Sequence, residues 1–264
     1  MLEKLVTRGR NLVPIWSKKL LWKARDSFYS PPTPVLQLLR VDFFRGQVAR
    51  VRFIYFTKIK RRLRALGSNA DIGKNTIAHN MTGLSDLACA RSSLLVRPFS
   101  VIEKLNRESK ILSIGPRTEG ELLNLMGHGF NKNRIRGVDL ISYSPWVDLG
   151  DMHDLPYEDD SFDAVILGWV LAYSHNRKKA TSEVIRVARN GGIIAVGVEY
   201  CPVSNEELIA TMGYVPGNEE RITSVAEILS FFGDHVDQLY FRHDVSPDMR
   251  TRVGSIIAIF SVRK

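Results

Sequence analysis

The apolar run Ile111-Leu112-Ser113-Ile114 leads directly into Gly115-Pro116-Arg117-Thr118-Glu119-Gly120-Glu121, which reads as a strand, a tight turn and a helix start. Gly115 can take the unusual dihedrals of such a turn, and Gly120 allows close approach in the first helical turn. Thr118 and Glu121 have the spacing of a capping box. A helix start of this kind turns free N–H groups toward an anionic or carboxylate-bearing ligand. Nineteen positions after Gly120, Asp139 lies near the end of the apolar run Ile135 to Leu140. An acid about 20 residues beyond a glycine-bearing turn is placed to accept hydrogen bonds from ribose hydroxyls, the alternative being a solvated strand end.

A third stretch sharpens the pattern. Gly150-Asp151-Met152-His153-Asp154-Leu155-Pro156-Tyr157-Glu158-Asp159-Asp160-Ser161-Phe162-Asp163-Ala164-Val165 closely resembles the GDxxxLPFxDxSFDxV segment of class I S-adenosylmethionine-dependent methyltransferases, of the type 11-like group. The resemblance continues through Ile166 to Ser174 and the Arg189-Asn190-Gly191-Gly192-Ile193 turn, and it covers roughly residues 108 to 200. It implies S-adenosylmethionine as cofactor and S-adenosylhomocysteine as product. By that resemblance Gly115, Pro116 and the turn to Gly120 face the methionine part of the cofactor. Asp139, with Leu140 beside it, binds the ribose diol. Asp151 receives the adenine amino group, Met152 lies along the ring and His153 shapes the adenine pocket. Gly168 and Trp169, after the fourth strand, line the site of methyl transfer.

The chain departs from the family pattern in two places. Members usually carry a G-x-G-x-G turn preceded by an acid, whereas those places here hold Ser113, Gly115, Arg117 and Glu119. Either Arg117 pairs with the cofactor carboxylate or it braces Glu119, with Glu119 or Glu121 facing the amino group; the other reading is that Arg117 and Glu119 only cap the helix. In addition, eleven residues separate Asp139 from Asp151, too few for the usual intervening helix. Ile141 to Trp146 must then be a bare loop, and the N-terminal extension is the obvious cover for that edge.

Methyl transfer is an in-line displacement from a sulfonium, so the protein has to align a nucleophile and, for a hydroxyl acceptor, take its proton. His175 is the general-base candidate, with a plain surface histidine as the alternative. Tyr173, Glu199 and Tyr200 follow strand ends on the same rim and read as acceptor-binding or as packing residues. His128 reads as structural. No His, Cys and Asp group has metal-ligand spacing.

The elements that must position these residues follow from periodicity. Ile111–Ile114, Ile135–Leu140, Val147–Leu149, Phe162–Leu167 and Ile193–Val198 read as buried strands, and Gln238–Phe241 with Ser255–Val262 as a closing hairpin-like pair. A helix is expected over Arg177–Arg189, and Ser224-Val225-Ala226-Glu227 is a capping box that opens another. The alternation implies an α/β fold: a doubly wound, Rossmann-like, seven-stranded, mostly parallel sheet with helices on both faces, plus a basic helical N-terminal extension. The expected divisions are an extension over 1–67, a linker or cap over 68–107 and a cofactor-binding domain over 108–264. Amphipathic helices are expected within residues 1–29, broken at Ser30-Pro31-Pro32-Thr33-Pro34, and over Val41–Leu66 with Gly67 as the stop.

Charge is segregated. The net charge is +9, but residues 1–66 hold 16 Lys and Arg against Glu3, Asp26 and Asp42, so that segment is net +13 and the rest net −4. Two cysteines, Cys89 and Cys201, exclude a disulfide framework, and no apolar run reaches the length of a membrane span, so a cytoplasmic protein, or one peripheral at a membrane, is expected. The leading reading is an O-methyltransferase for a small-molecule or glycan-like acceptor. The basic segment 1–66 suits an anionic partner, either a membrane surface or nucleic acid. The competing readings are a nucleic-acid methyltransferase and a cofactor-binding relic without transfer activity.

Overall fold

A computed structural model of the chain describes residues 34–67, 77, 78, 80–212 and 221–264. The chain divides into two compact units, Met1–Pro31 and Pro32–Lys264, and all described residues belong to the second. The helices expected over residues 1–29, the Ser30–Thr33 break and most of residues 68–79 lie outside the described residues.

A seven-stranded sheet of order β5-β3-β2-β6-β7-β9-β8 carries the fold. It consists of β2 (Ile111–Ile114), β3 (Ile135–Asp139), β5 (Val147–Leu149), β6 (Phe162–Gly168), β7 (Ala188–Tyr200), β8 (Val236–His243) and β9 (Gly254–Val262). The first five run parallel, whereas β9 is antiparallel to both β7 and β8. The expected mostly parallel sheet is therefore present. The final two strands pair antiparallel as expected, with the last strand of the chain lying between β7 and β8.

Period-two alternation sorts the strand residues between two cores. Leu112, Ile114, Val165 and Leu167 face one layer with α5 (Arg177–Val187) and α6 (Val225–Ser230). Ile111, Ile135, Ala164 and Ile166 face the other, packed against α3 (Ser92–Phe99) and α4 (Gly120–Gly127). Helices thus cover both faces.

Several local expectations are corrected. The helix after Asn176 stops at Val187, not Arg189, because Ala188 already pairs with Phe162 at the start of β7. The 190–192 turn is therefore an irregularity inside a long strand, where Gly191 takes a φ of +75°. The Ser224 box forms in part: Ser224 accepts from the Glu227 amide, but the Glu227 carboxylate takes the Thr223 amide instead of that of Ser224.

The extension does not run as one helix to Leu66. After α1 (Pro34–Gln37), α2 covers Asp42–Ile54 and passes into a π-turn over Tyr55–Ile59. The chain then extends, so that β1 (Arg64–Ala65) pairs antiparallel with β4 (Ile141–Ser142). The loop expected to be bare is thereby bridged by the N-terminal extension. Leu39 and Ala49 enter the second core, and Phe53, Phe56 and Leu63 pack with Ile141 and Tyr143. From residues 80–107, Leu95, Val96 and Phe99 are fully buried beside them. Burying side chains of this size contributes about 1.5–3 kcal/mol each, so these segments are part of the fold's core.

Candidate cofactor and acceptor site

The carboxyl ends of β2, β3, β5 and β6 converge on one cavity. Its walls include Gly115, Arg117, Asp139, Leu140, Gly150, Asp151, Met152, His153, Gly168, Trp169, Tyr173 and His175. Open parallel sheets place ligand sites at this end, outside the strand termini. Asp139 closes β3 and Asp151 follows β5, so pairing of these adjacent strands brings two acids 12 positions apart in sequence into one pocket.

Asp139 is nearly fully buried. Its carboxylate accepts the Arg117 amide at 2.7 Å, the Ile141 amide at 3.2 Å and Asn80 Nδ2 at 3.2 Å. Burial pushes its pKa up to about 6, and the amide hydrogen bonds from Arg117 and Ile141 hold the rise in check. Arg117 reaches this geometry with a φ of +54°, and Gly115 with +68°. A Cβ on Gly115 would stand 2.5 Å from Val170 Cγ2, so this turn requires glycine both for its dihedral and for space.

At the other end of the cavity Asp151 Oδ1 accepts the His153 amide at 2.9 Å and His153 Nδ1 at 2.5 Å. Ser174 Oγ accepts the Asn176 amide and lies 2.8 Å from His153 Nε2. An ionised Asp151 carboxylate can only accept, so Nδ1–H donates to it, and in the neutral ring Nε2 then accepts the Ser174 hydroxyl. Partial burial raises the Asp151 pKa, but the His153 hydrogen bonds and the nearby His153 and His175 outweigh it and hold the carboxyl below its usual range. The rings of His153 and His175 lie with centroids 3.9 Å apart, tilted 38° to each other. The loop carrying Asp151 is pinned to α5, where Glu183 accepts the Leu155 amide and Arg186 donates to the Leu155 and Tyr157 carbonyls. The Arg186 guanidinium draws the Glu183 carboxyl down to about 2.

A smaller cavity adjoins the first and shares Arg91, Gly115, Arg117 and Gly168 with it. Glu121 lines it, fully buried, and accepts the Ser113 hydroxyl at 2.6 Å. Burial raises its pKa against the Ser113 hydrogen bond and the Arg91 charge. The expected Thr118–Glu121 capping box is consequently absent, because Glu121 is turned inward to Ser113 and the Thr118 hydroxyl only weakly accepts the Gly120 amide at 3.4 Å. Trp169 takes a φ of +60° with its backbone N–H donating to the Gly197 carbonyl and Arg91 over its ring at 5.4 Å. A bulky residue in the left-handed region is uncommon and clusters at functional sites.

Glu119 and Gly120, both expected at the cofactor, line neither cavity. Glu119 is fully buried away from the cavity; its carboxylate holds Arg52 Nε at 2.5 Å and Nη2 at 2.9 Å and accepts the Ser144 hydroxyl. Arg117 therefore does not brace Glu119, because Arg52 from α2, seated 3.6 Å over the Trp146 ring, occupies that role. Gly120 packs against the Leu87 and Ala88 carbonyls, which leave no room for a Cβ, and Pro116 lines only the smaller cavity. Glu199 and Tyr200 stand outside both cavities, and His128 is tied to the Asn124 carbonyl at 2.9 Å. Asn80 and Arg91 went unforeseen, since they sit in a stretch without periodicity; only the folded chain brings them to the pocket. Among the described residues no group of three His, Cys, Asp or Glu could hold a metal ion.

The donor set fits a nucleoside bearing an amino acid. Asp139 suits a diol and Asp151 an exocyclic amine. Glu121 suits an ammonium, and Arg91 with Arg117 a carboxylate.

Comparison with known proteins agrees with this. Residues 120–196 match a family described as a methyltransferase domain. A demethylmenaquinone methyltransferase from Desulfitobacterium hafniense is 31% identical over 83 residues, 29% of this chain and 33% of that protein. The chain thus aligns with only a third of that relative's length. Among solved structures, a chain in the complex of the Haloferax volcanii Trm112 methyltransferase activator with a methyltransferase superposes with a TM-score of 0.53 at 16% identity, over 75% of this chain and 98% of that one. A protein from Galdieria sulphuraria described as a sarcosine dimethylglycine methyltransferase gives 0.50 at 13% identity, over 67% and 86%. At such identities the structures show a shared fold.

Proposed function

We propose that this chain, of which residues 120–196 match a methyltransferase domain, is a class I S-adenosylmethionine-dependent enzyme that transfers the cofactor's methyl group to an oxygen of a small-molecule or glycan-like acceptor. The observation that supports this reading most is that Asp139 and Asp151 line one cavity with the Gly115 turn. Asp139 would take the ribose hydroxyls. Asp151, whose Oδ1 is occupied by His153, would offer Oδ2 to the adenine amine, with Met152 along the ring. In the adjoining cavity, Glu121 would face the ammonium, and Arg91 and Arg117 the carboxylate.

The bound sulfonium supplies an activated methyl group. The chain's own contribution is alignment, exclusion of water and removal of the acceptor proton. Trp169 and Tyr173 wall the cavity beyond Gly168 and would orient the acceptor. His175 lies exposed two residues beyond Tyr173, its ring tilted against a His153 ring that is itself hydrogen-bonded at both nitrogens. That contact would hold the imidazole at the rim, where it would accept the hydroxyl proton and release it to solvent.

The test is calorimetric titration with S-adenosylmethionine and S-adenosylhomocysteine, followed by mass spectrometry of a hydroxyl-bearing acceptor panel. Saturable binding with gain of one methyl is expected, and His175→Ala should cut turnover at least tenfold with cofactor affinity unchanged. A folded chain that takes up neither nucleoside would overturn the assignment. Methyl gain only on nitrogen or carbon acceptors would overturn the O-transfer part.

A further inference from the structure

Helix α2 and the start of the π-turn after it carry apolar side chains on two sides. One side, with Arg45, Ala49, Arg52, Phe53 and Phe56, packs on the domain. The other side carries Phe44, Val48, Val51 and Tyr55 at helical spacing, flanked by Phe43 and Ile54, all between 39% and 68% exposed. Six large apolar side chains on one solvent-facing side exceed the scattered exposure of an ordinary surface. The helix is short, with 13 residues before its π-turn, and no described helix is long and apolar enough to cross a membrane.

Charge tells what fits this face. From Phe43 to Ala70 the chain holds eight basic residues and no acid. Arg45 and Arg52 are consumed on the domain side, whereas Arg50, Lys58, Lys60, Arg61, Arg62 and Arg64 are exposed. The cations cluster at the end of the apolar ridge. A second copy of the chain would bring two such clusters together and be repelled. A nucleic-acid backbone would pair with the cations but leave the aromatic ridge in water. An anionic lipid surface matches both halves, with aromatic and branched side chains in the headgroup boundary and cations against the headgroups.

We propose that this outward face of α2, with the basic run from Lys58 to Arg64, is a docking surface for anionic lipid bilayers. It operates independently of the methyl-transfer reading. Its consequence for the site is geometric, because the same α2 holds Glu119 through Arg52, and the chain after it pairs as β1 with β4 immediately beyond Asp139. A docked face would set the cavity's orientation to the membrane through rigid connections.

The test is sedimentation of the full chain with vesicles of phosphatidylglycerol and phosphatidylcholine, against vesicles of phosphatidylcholine alone. Binding to the anionic vesicles that weakens with added salt is expected. Val51→Asp with Tyr55→Asp, both at exposed positions, should weaken it at least about tenfold, and Lys58→Glu with Lys60→Glu by a comparable factor. Circular dichroism and thermal melting establish that each variant folds. Anionic-vesicle binding that both folded variants retain in full would overturn the proposal, since the residues before Pro34 would then be responsible. Absence of vesicle binding would also overturn it, as would RNA binding or self-association, the latter read by light scattering, that these variants abolish while vesicle binding stays unchanged.

Discussion

The Ser113 hydroxyl donates to Glu121 Oε1 at 2.6 Å, joining the end of β2 to the first turn of α4 inside the fold. In the family that the sequence resembles, the place of Ser113 is taken by an acid. Here the carboxylate arrives from the helix, and the serine aims it. Burial without a full ion pair raises the Glu121 pKa. Ionising this carboxyl therefore costs stability, which fits a group whose charge is balanced by a bound cation.

Glu121→Gln should separate the two effects. Removing a poorly compensated buried charge leaves the fold as stable or more so, and a gain of order 1 kcal/mol lifts Tm by about 2–4 °C. Affinity for S-adenosylmethionine should fall by about 10- to 100-fold, the worth of about one charge-assisted contact. Thermal melting and calorimetry on the same preparation check both. Unaltered affinity would mean that Glu121 does not face the cofactor.

Gly168→Ala tests the same carboxylate from the opposite side. A Cβ at Gly168 would fall on Glu121 Oε2, a buried group braced by Ser113 with little room to retreat. The variant should lose most cofactor binding and shift the Tm downward, whereas Gly67→Ala, where a Cβ meets nothing, should leave both unchanged.

Most of the sheet was legible because buried parallel strands write near-continuous apolar runs, as in Ile111–Ile114 and Phe162–Gly168. The approach of Asp139 and Asp151 was legible from their place at strand ends. The Arg52–Glu119 pair was not, since nothing local ties residue 52 to residue 119. Glu119 stands within a turn that otherwise points to the ligand. The capping-box spacing of Thr118 and Glu121 misled for a related reason, because a buried hydroxyl at Ser113 competes for the same carboxylate and wins it. Local pattern locates a strand end, whereas side-chain partnership depends on what the rest of the fold packs against it.

The buried Asp139 gives the site a pH signature. Its folded pKa of about 6 lies above the model-peptide value of 3.8, so the native state prefers the protonated form. The associated stability is fully present below about pH 4 and is lost as pH rises through about 6. Asp139→Asn should therefore gain relative to the wild type across that window in ligand-free melts. A diol donates its hydroxyl protons to the carboxylate, so affinity for S-adenosylhomocysteine should be flat above pH 7. It should fall by up to about tenfold per unit below pH 6. A pH-independent affinity would remove Asp139 from the ligand contacts.

Arg52 and Glu119 form the joint between the extension and the domain. The Glu119 side chain is fully buried and that of Arg52 is 26% exposed. Breaking such a pair from one side strands a buried charge, at a cost of several kcal/mol, whereas replacing both ends together costs far less. Arg52→Met alone should lower stability by about 2–4 kcal/mol, read by urea denaturation. Arg52→Met with Glu119→Gln should recover at least half of that, because the Ser144 hydroxyl can still bond the glutamine amide. The cofactor affinity of the double variant should stay near that of the wild type, since neither residue lines the cavity. A double variant as unstable as the single one would show that Arg52 acts through its contact with Trp146 and not through Glu119.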